Sequence, residues 1–410
     1  MTTTVFTNAL VFDGRGGEPQ EGATVVVADG LIQQVGGSHV VQSDDQVIDL
    51  GGRSMIPGLI DAHVHIGAVD VYFEDQSRKF PRSYMAFLMA KRLTHLLDRG
   101  YTTIRDCGGA DWGFKQAVDH GLIAGPRMLI SCRMVSQTGG HGDMRTRGES
   151  GEHAHDHGDF GMVFAIADGV SEVRRAVREQ VRMGADFVKV MASGGAASPT
   201  DKLDRPQYSM EELRAIAEEA EIAGVYLAAH ALPAIAILRA AQAGARTIEH
   251  GNFLDDESAL AMKAAGSYLV PTVATYVMAS RHPEKYDYTD EVSEKVSSAA
   301  EGALRSLEVA RRNGVPIGSG SDLLGDEMSW LNHEHELKAE VLGASEALRS
   351  ATSVNAALLG RDDIGVVDVG RRADLVVVDG DPTTDISVLG RHDSIQLVMK
   401  DGQLHRTTLV

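Results

Sequence analysis

Along the first fifty residues apolar and polar positions alternate with a period of two, in "TTVFTNALVFDG", "ATVVVADGLIQQVGG" and "DQVIDLGGRSMIPG", with glycines between the runs. Successive strand side chains point to opposite faces, so this pattern predicts a small antiparallel sheet. The last fifty residues repeat it in "GVVDVGRRADLVVVDGDP" and "SIQLVMKDGQLHRTTLV". Sheet signals at both ends predict one split β-sandwich, from residues 1–56 and 361–410. Between them, over 57–360, the period changes. From about Arg82 to Arg99, the residues Met85, Met89, Leu93, Leu96 and Leu97 recur at helical spacing. Val173, Val177 and Val181 form a stripe within 171–183, and Ser209 with Glu212 has the form of a capping box that opens a further helix. The apolar runs that alternate with such segments are "DAHVH", "TTIRDCGG", "MLISC", "DFVKVMA", "GVYLAAH", "ARTIEHG", "SYLVPT" and "VPIGSGSD". Eight β/α units over roughly 300 residues predict a (β/α)8 TIM barrel, a fold whose chemistry gathers at the carboxyl ends of the strands.

Composition narrows the function. With 410 residues, 43% hydrophobic and 24% charged, the chain has the make-up of a soluble globular protein, large enough for one large and one minor domain. A formal charge of -19 argues against nucleic acid and anionic membrane surfaces as partners. Two cysteines, Cys107 and Cys132, are too few for a disulfide framework, so a reducing cytoplasm is the expected compartment. The amino terminus has no basic and apolar leader pattern, and no run reaches the ~18 apolar residues of a membrane span.

One charge is out of place. "DFVKVMASGG" reads as a buried strand, yet it carries Lys189 in its centre. A buried ammonium costs several kcal/mol unless it finds a carboxylate, a route to solvent, or a chemical change. The ordinary reading is a lysine whose head escapes at the strand end. Its neighbours in the barrel weigh against that. The ionisable residues that close the predicted strands are His63 and His65 on the first, Lys189 on the fourth, His230 on the fifth, His250 on the sixth and Asp322 on the eighth. In an extended strand the two histidines of "HVH" point to the same side and can serve one ion. Each piece alone is weak, and Asp322 could equally be a helix N-cap before "LLGDEMSWL". Together they converge on one mouth.

With these motifs the chain resembles the metal-dependent amidohydrolase superfamily over nearly its whole length: "MIPGLIDAHVHIG", "KVMASGG", "AAHA", "IEHG" and "GSGSD" stand in that family's order, and "GVVDVGRRADLVVVDGDP" is similar to its returning tail. The resemblance implies that Lys189 reacts with carbon dioxide to give a carbamate, N6-carboxylysine, that bridges two divalent metal ions. His63, His65 and Asp322 would hold the more buried ion and His230 and His250 the more exposed one. Zinc suits these donors, with cobalt, manganese or nickel as substitutes. A hydroxide shared by the metals would attack the carbonyl, with Asp322 as general acid/base. His141, in "TGGHGD" of a long third loop from about Ser136 to Ala165, would stabilise the oxyanion or bind substrate.

The resemblance points to the prolidase-like and imidazolonepropionase-like subset, which includes ochratoxin-hydrolysing amidases. The expected reaction is hydrolysis of an amide joining an acyl group to an amino acid, as in an N-acyl amino acid or a dipeptide-like substrate. Where many relatives read "AHAHG" this chain reads "AHALP", which places Leu232 and Pro233 there and favours an aromatic or apolar acyl group. Opening of a cyclic amide, or hydrolysis of a carbamate or urea, is the alternative. A scaffold without catalysis is disfavoured because all six ligand positions are kept, and a deaminase because Lys189 is present. Tyr276 either donates its hydroxyl to a substrate carboxylate or packs as an ordinary aromatic. Arg105 and Asp106 read as ion-pair support for the barrel rather than catalysts. His153, His155 and His157 belong to a solvated lid or subunit contact rather than a third metal site. The resemblance also implies a homo-oligomer, a tetramer or octamer.

Overall fold

Residues 3–149, 160–196 and 201–409 are described by the computed structural model. The two ends of the chain share one eight-stranded sheet: Ser54–Pro57, from the amino-terminal segment, pairs antiparallel with Leu375–Val378, which leads to Ile395–Lys400 and Gln403–Thr407. The expected all-antiparallel pattern needs correction. Thr4–Val11 is antiparallel to Gln20–Ala28 but parallel to Gln46–Asp49 and Ser54–Pro57, because the segment 36–45 crosses back before the chain re-enters the sheet. The strand "LVVV" at 375–378 has no polar face because both faces are covered. Leu375 and Val377 enter a cluster with Phe6, Val25 and Leu397, while Val376 and Val378 enter a second one with Leu93 and Tyr101.

The middle of the chain holds two parallel sheets. Leu59–Val64, Tyr101–Asp106 and Arg127–Ile130 form one, and Met134–Ser136, Phe187–Met191, Tyr226–Pro233, Thr247–Phe253 and Tyr268–Val270 form the other, with Phe164–Ile166 added at its edge. The third predicted strand, "MLISC", lies in the first sheet and ends near Cys132, whose φ of 61° leaves the extended region, and Met134–Ser136 just beyond it enters the second. The eighth predicted strand is corrected: "VPIGSGSD" makes a single bridge, Ile317 to Leu269, rather than a ladder. Its backbone still reaches the first strand, where Ala62 N donates to Ser319 O at 2.9 Å and Asp322 N to His63 O at 2.8 Å. Gly320 permits this, since a Cβ there would lie 2.5 Å from the Cβ of His63.

Helices follow the predicted periods closely. Arg82–Asp98 buries Met85, Met89, Leu93, Leu96 and Leu97, each contributing roughly 1.5–3 kcal/mol if fully removed from water. Gly169–Arg182 buries Val173 and Val177, but Gln180 takes the place expected for Val181. Its amide bonds Arg133 N and Ala176 O, which makes the buried polar group acceptable. The Ser209–Glu212 capping box is present in full. No helix among the described residues is long and apolar enough to cross a membrane.

Candidate metal centre

Six predicted residues meet on the floor of one cavity of about 540 Å³: His63, His65, Lys189, His230, His250 and Asp322. The first strand delivers His63 and His65 to one side, with ring centroids 5.2 Å apart. Asp322 Oδ1 lies 3.6 Å from His63 Nε2 and 3.4 Å from His65 Nε2, and its Oδ2 lies 3.7 Å from His250 Nδ1. His250 is 5.0 Å from His63 and 4.6 Å from His230, centroid to centroid. Lys189 is 1% exposed, and its Nζ stands 3.4 Å from His63 Nε2. The escape of its head to solvent, the ordinary reading, does not occur. Asp322 is no N-cap either, because the short 3-10 helix after it begins at Gly325 and is preceded by Leu324.

Backbone strain marks two of these residues and a neighbour of one. His250 has φ 72°, Asp322 φ 51° and Thr272 φ 45°, all in the left-handed region that disfavours side chains with a Cβ. Each such residue costs on the order of 1–3 kcal/mol and persists where the surroundings over-determine it. Thr272 Oγ1 meets His250 Nδ1 at 2.8 Å, so two of the three strained residues fix one imidazole.

Behind the rings stands a polar layer. His63 Nδ1 contacts Glu249 Oε2 at 2.7 Å, and His65 Nδ1 donates to Gly108 O at 2.7 Å. Arg105, fully buried, grips both oxygens of Glu249 at 2.7 Å and donates to Thr247 Oγ1 at 2.9 Å. The supporting ion pair expected of Arg105 is therefore made with Glu249. Asp106 instead accepts backbone N–H bonds from Ile66, Gly108 and Ala110. Carboxylate-to-imidazole contacts of this kind orient ligating histidines. Glu249 was missed in the sequence, although it sits beside His250 in "IEHG".

Burial governs the protonation of the set. It holds His63, His230 and His250 well below the usual imidazole range and takes His65 down to about 3, with the charge of nearby Lys189 adding to the effect. The same desolvation lifts Asp322 to about 8. Neutral imidazoles with lone pairs turned to a common centre, and an aspartate short of positive charge, form a donor set suited to divalent cations. His63, His250 and Asp322 offer donor atoms within 4.8 Å of one another. The grouping of His63 with Cys107 and Glu249 is less suited, since burial pushes the Cys107 thiol up to about 12 and Arg105 already occupies Glu249.

The rim residues divide. His141 stacks on His230 with centroids 4.3 Å apart, and its Nδ1 lies 3.7 Å from Asp201 Oδ2. A Cβ at Gly195 would fall 2.0 Å from His141 Cε1, so that glycine makes room for the ring. Tyr276 lies on the helix Val273–Arg281, lines the cavity and meets His250 edge-on at 5.8 Å. Leu232 does not line the cavity. It is fully buried behind the wall against Tyr276 and Val296, so the apolar character of the pocket comes from other residues. These are chiefly Met134, Met144, Met162, Met191, Phe73 and Phe164. His153, His155 and His157 lie outside the described residues.

The chain belongs to the amidohydrolase family, matched over residues 54–405, and is a hydrolase acting on C–N bonds. Within the family its likeness is to the prolidase-like and imidazolonepropionase-like members. It is 32% identical to the ochratoxinase of Aspergillus niger, over 95% of this chain and 84% of that one. It is 29% identical to the imidazolonepropionase of Cutibacterium acnes, over 86% and 83%. A crystal structure of a prolidase complexed with N-methylphosphonate-L-proline superposes with a TM-score of 0.94 at 41% identity, covering 99% of this chain and all of the other.

Proposed function

We propose that this amidohydrolase cleaves the amide between an aromatic or otherwise apolar acyl group and an amino acid, at a pair of divalent cations, zinc by preference. The observation that carries this reading is the convergence of four neutral imidazoles, Asp322 and a buried lysine beneath a cavity walled by methionine and phenylalanine. Among the described residues Lys189 Nζ has one hydrogen-bonding contact, to an imidazole, and no carboxylate within 4.0 Å. That is a poor place for an ammonium and a good one for an anion between cations. As a free amine, Lys189 Nζ adds to carbon dioxide: an N–C bond forms, one C–O π bond becomes a carboxylate oxygen, and the amine proton leaves to solvent.

His63, His65 and Asp322 would hold one cation, His230 and His250 the other, and carboxylated Lys189 both. When bound, the cations supply Lewis-acid polarisation of the scissile carbonyl and water acidified to near neutral pH. Asp322 takes the proton of the attacking water on a carboxylate oxygen and returns it to the leaving nitrogen. His141 donates a ring N–H to the carbonyl oxygen as charge gathers there. Flexible methionines suit an acyl group of irregular shape. Opening of a cyclic amide is a second reading, favoured by the identity with imidazolonepropionase.

The framework fits. Hydrogen bonds from Leu269 to Pro316 and from Ala62 to Ser319 support a (β/α)8 barrel in which the two parallel sheets are arcs of one wall. The shared terminal sheet, wrapped on one apolar cluster, supports a β-sandwich of residues 1–56 and 361–410 beside a barrel of 57–360. Free, buried Cys107 and Cys132 fit a reducing cytoplasm.

Metal analysis of the purified protein is expected to give two ions per chain. Lys189→Ala is expected to lose metal and activity together, with partial rescue by short carboxylic acids. A panel of N-acyl amino acids scored for released amine identifies the substrate class, and ring opening without amine release would favour the second reading. One ion per chain, or full activity of Lys189→Ala, refutes the binuclear site.

A further inference from the structure

Two lysines stand among the described lining residues of the cavity, Lys189 on its floor and Lys295 on its wall. Lys295 lies near the start of the long helix Asp290–Asn313, whose Val296 packs with Tyr276 and Ala196. Its side chain is only 15% exposed, yet its charge is weakly compensated. Nζ donates to Asp201 O at 3.2 Å, and the nearest carboxylate, Glu291, is 3.9 Å away and 80% exposed. An ion pair with so solvated a partner contributes little.

Lys295 is also joined to the metal centre by a short run of contacts. Asp201, whose carbonyl takes Nζ, holds its carboxylate 3.7 Å from His141, and His141 stacks on His230. The lining also carries five carboxylates, those of Glu74, Asp287, Glu291, Asp322 and Glu327. Glu327 accepts from Tyr286 Oη and Leu324 N, Asp322 belongs to the centre, Glu74 is held above the usual carboxylate range by burial, and Glu291 points to water. An amide of an amino acid presents one fixed charge close to its scissile bond, the α-carboxylate. A half-buried ammonium with free N–H donors, one residue beyond the oxyanion-facing His141, is its natural complement.

We infer that Lys295 is the specificity-determining residue that receives the α-carboxylate of the substrate's amino-acid half. This rests on the amidase reading and sharpens it: the substrate is an N-acyl amino acid with a free carboxylate, seated with its acyl group among the methionines. Lys295 does not touch the reacting atoms, and its effect falls on binding.

The test separates binding from turnover. N-benzyl-L-phenylalanine, which has a methylene in place of the scissile carbonyl, and its carboxamide are titrated calorimetrically into the metal-loaded protein. N-benzoyl-L-phenylalanine and its carboxamide are assayed for cleavage of the benzoyl amide. The acid is expected to bind and react better than the carboxamide by about ten- to a hundredfold, the size of one charge-assisted hydrogen bond. Lys295→Met should abolish that preference through KM and Kd, and Lys295→Arg should keep part of it. If Lys295→Met does not fold, Lys295→Gln serves the same comparison. Cleavage with a preference that survives both neutral variants overturns the role of Lys295 and leaves the amidase reading intact. Binding that depends on Lys295 without any cleavage overturns the amidase reading instead. Equal binding of acid and carboxamide to the unaltered protein overturns the inference outright.

Discussion

Gly195→Ala puts the proposed role of His141 to a direct test. The position is not in the left-handed region, so alanine adopts its backbone without penalty and acts only through the new methyl. That methyl would stand 2.0 Å from His141 Cε1, 2.4 Å from Nδ1 and 2.5 Å from Nε2. Carbon atoms at rest are about 3.5–4.0 Å apart, so the ring must move by roughly 1.5 Å. It cannot retreat onto His230, already stacked at 4.3 Å, without displacing that imidazole, a proposed metal ligand. The remaining path is into the cavity, away from the place proposed for its contact with the carbonyl oxygen. Misplacement by about 1 Å costs on the order of a hundredfold in rate, close to 2.7 kcal/mol of barrier. The assay is kcat/KM on an N-acyl amino acid, with metal content and thermal midpoint measured on the same samples. A hundredfold loss with both ions retained is expected. In a His141→Ala background the same substitution should cost almost nothing, because the clash has gone. An equal loss in both backgrounds, or no loss in the first, would refute the argument.

Two further outcomes concern the layer behind the site. Glu249→Gln leaves the guanidinium of Arg105 buried without its anion and is expected to cost about 3–5 kcal/mol in chemical denaturation. Arg105→Met added to it should recover much of that stability but not metal affinity, since His63 still lacks its carboxylate; no recovery would show that the pair is not what the single variant breaks. Cys107, pushed up to about 12 by burial, keeps its proton in the folded chain where an unfolded thiol loses it near 8.5. The folded state therefore binds more protons between about pH 9 and 11, and stability falls as pH rises through that window. Cys107→Ala should reduce the slope by about 1.4 kcal/mol per pH unit, and an unchanged slope would refute the assignment.

The meeting of the six candidate residues was legible because strand ends are. A histidine or aspartate that closes an apolar run can be placed at the barrel mouth without knowing any contact, and the helix Arg82–Asp98 was read to within one residue from its five apolar positions. The eighth strand was legible as sequence but not as geometry, because "GSGSD" carries too few side chains to declare that its backbone presses on the first strand. Glu249 was hidden by the very rule that found His250. Neighbours in an extended strand point to opposite faces, so one of the two should face away. The left-handed turn at His250 breaks that rule and lets both meet His63. Positive φ at a residue other than glycine leaves only a weak signature in sequence, an enrichment of Asn, Asp and His too slight to single out His250.

What lies outside the strand frame was harder still, and for one physical reason. Gly195, Tyr276 and Lys295 act through loops and helices whose placement depends on packing between distant segments, such as Val296 against Tyr276 and Asp201 against His141. Leu232 shows the converse: its position beside a ligand suggested a pocket wall, but it packs behind one. The parallel strands set where bonds are broken, and their ends announce it. On the proposed reading the choice of substrate falls to the cover over those ends, where a lysine gains meaning only from what it is short of. On that reading Lys295, rather than any strand-end residue, sets which amides this chain accepts.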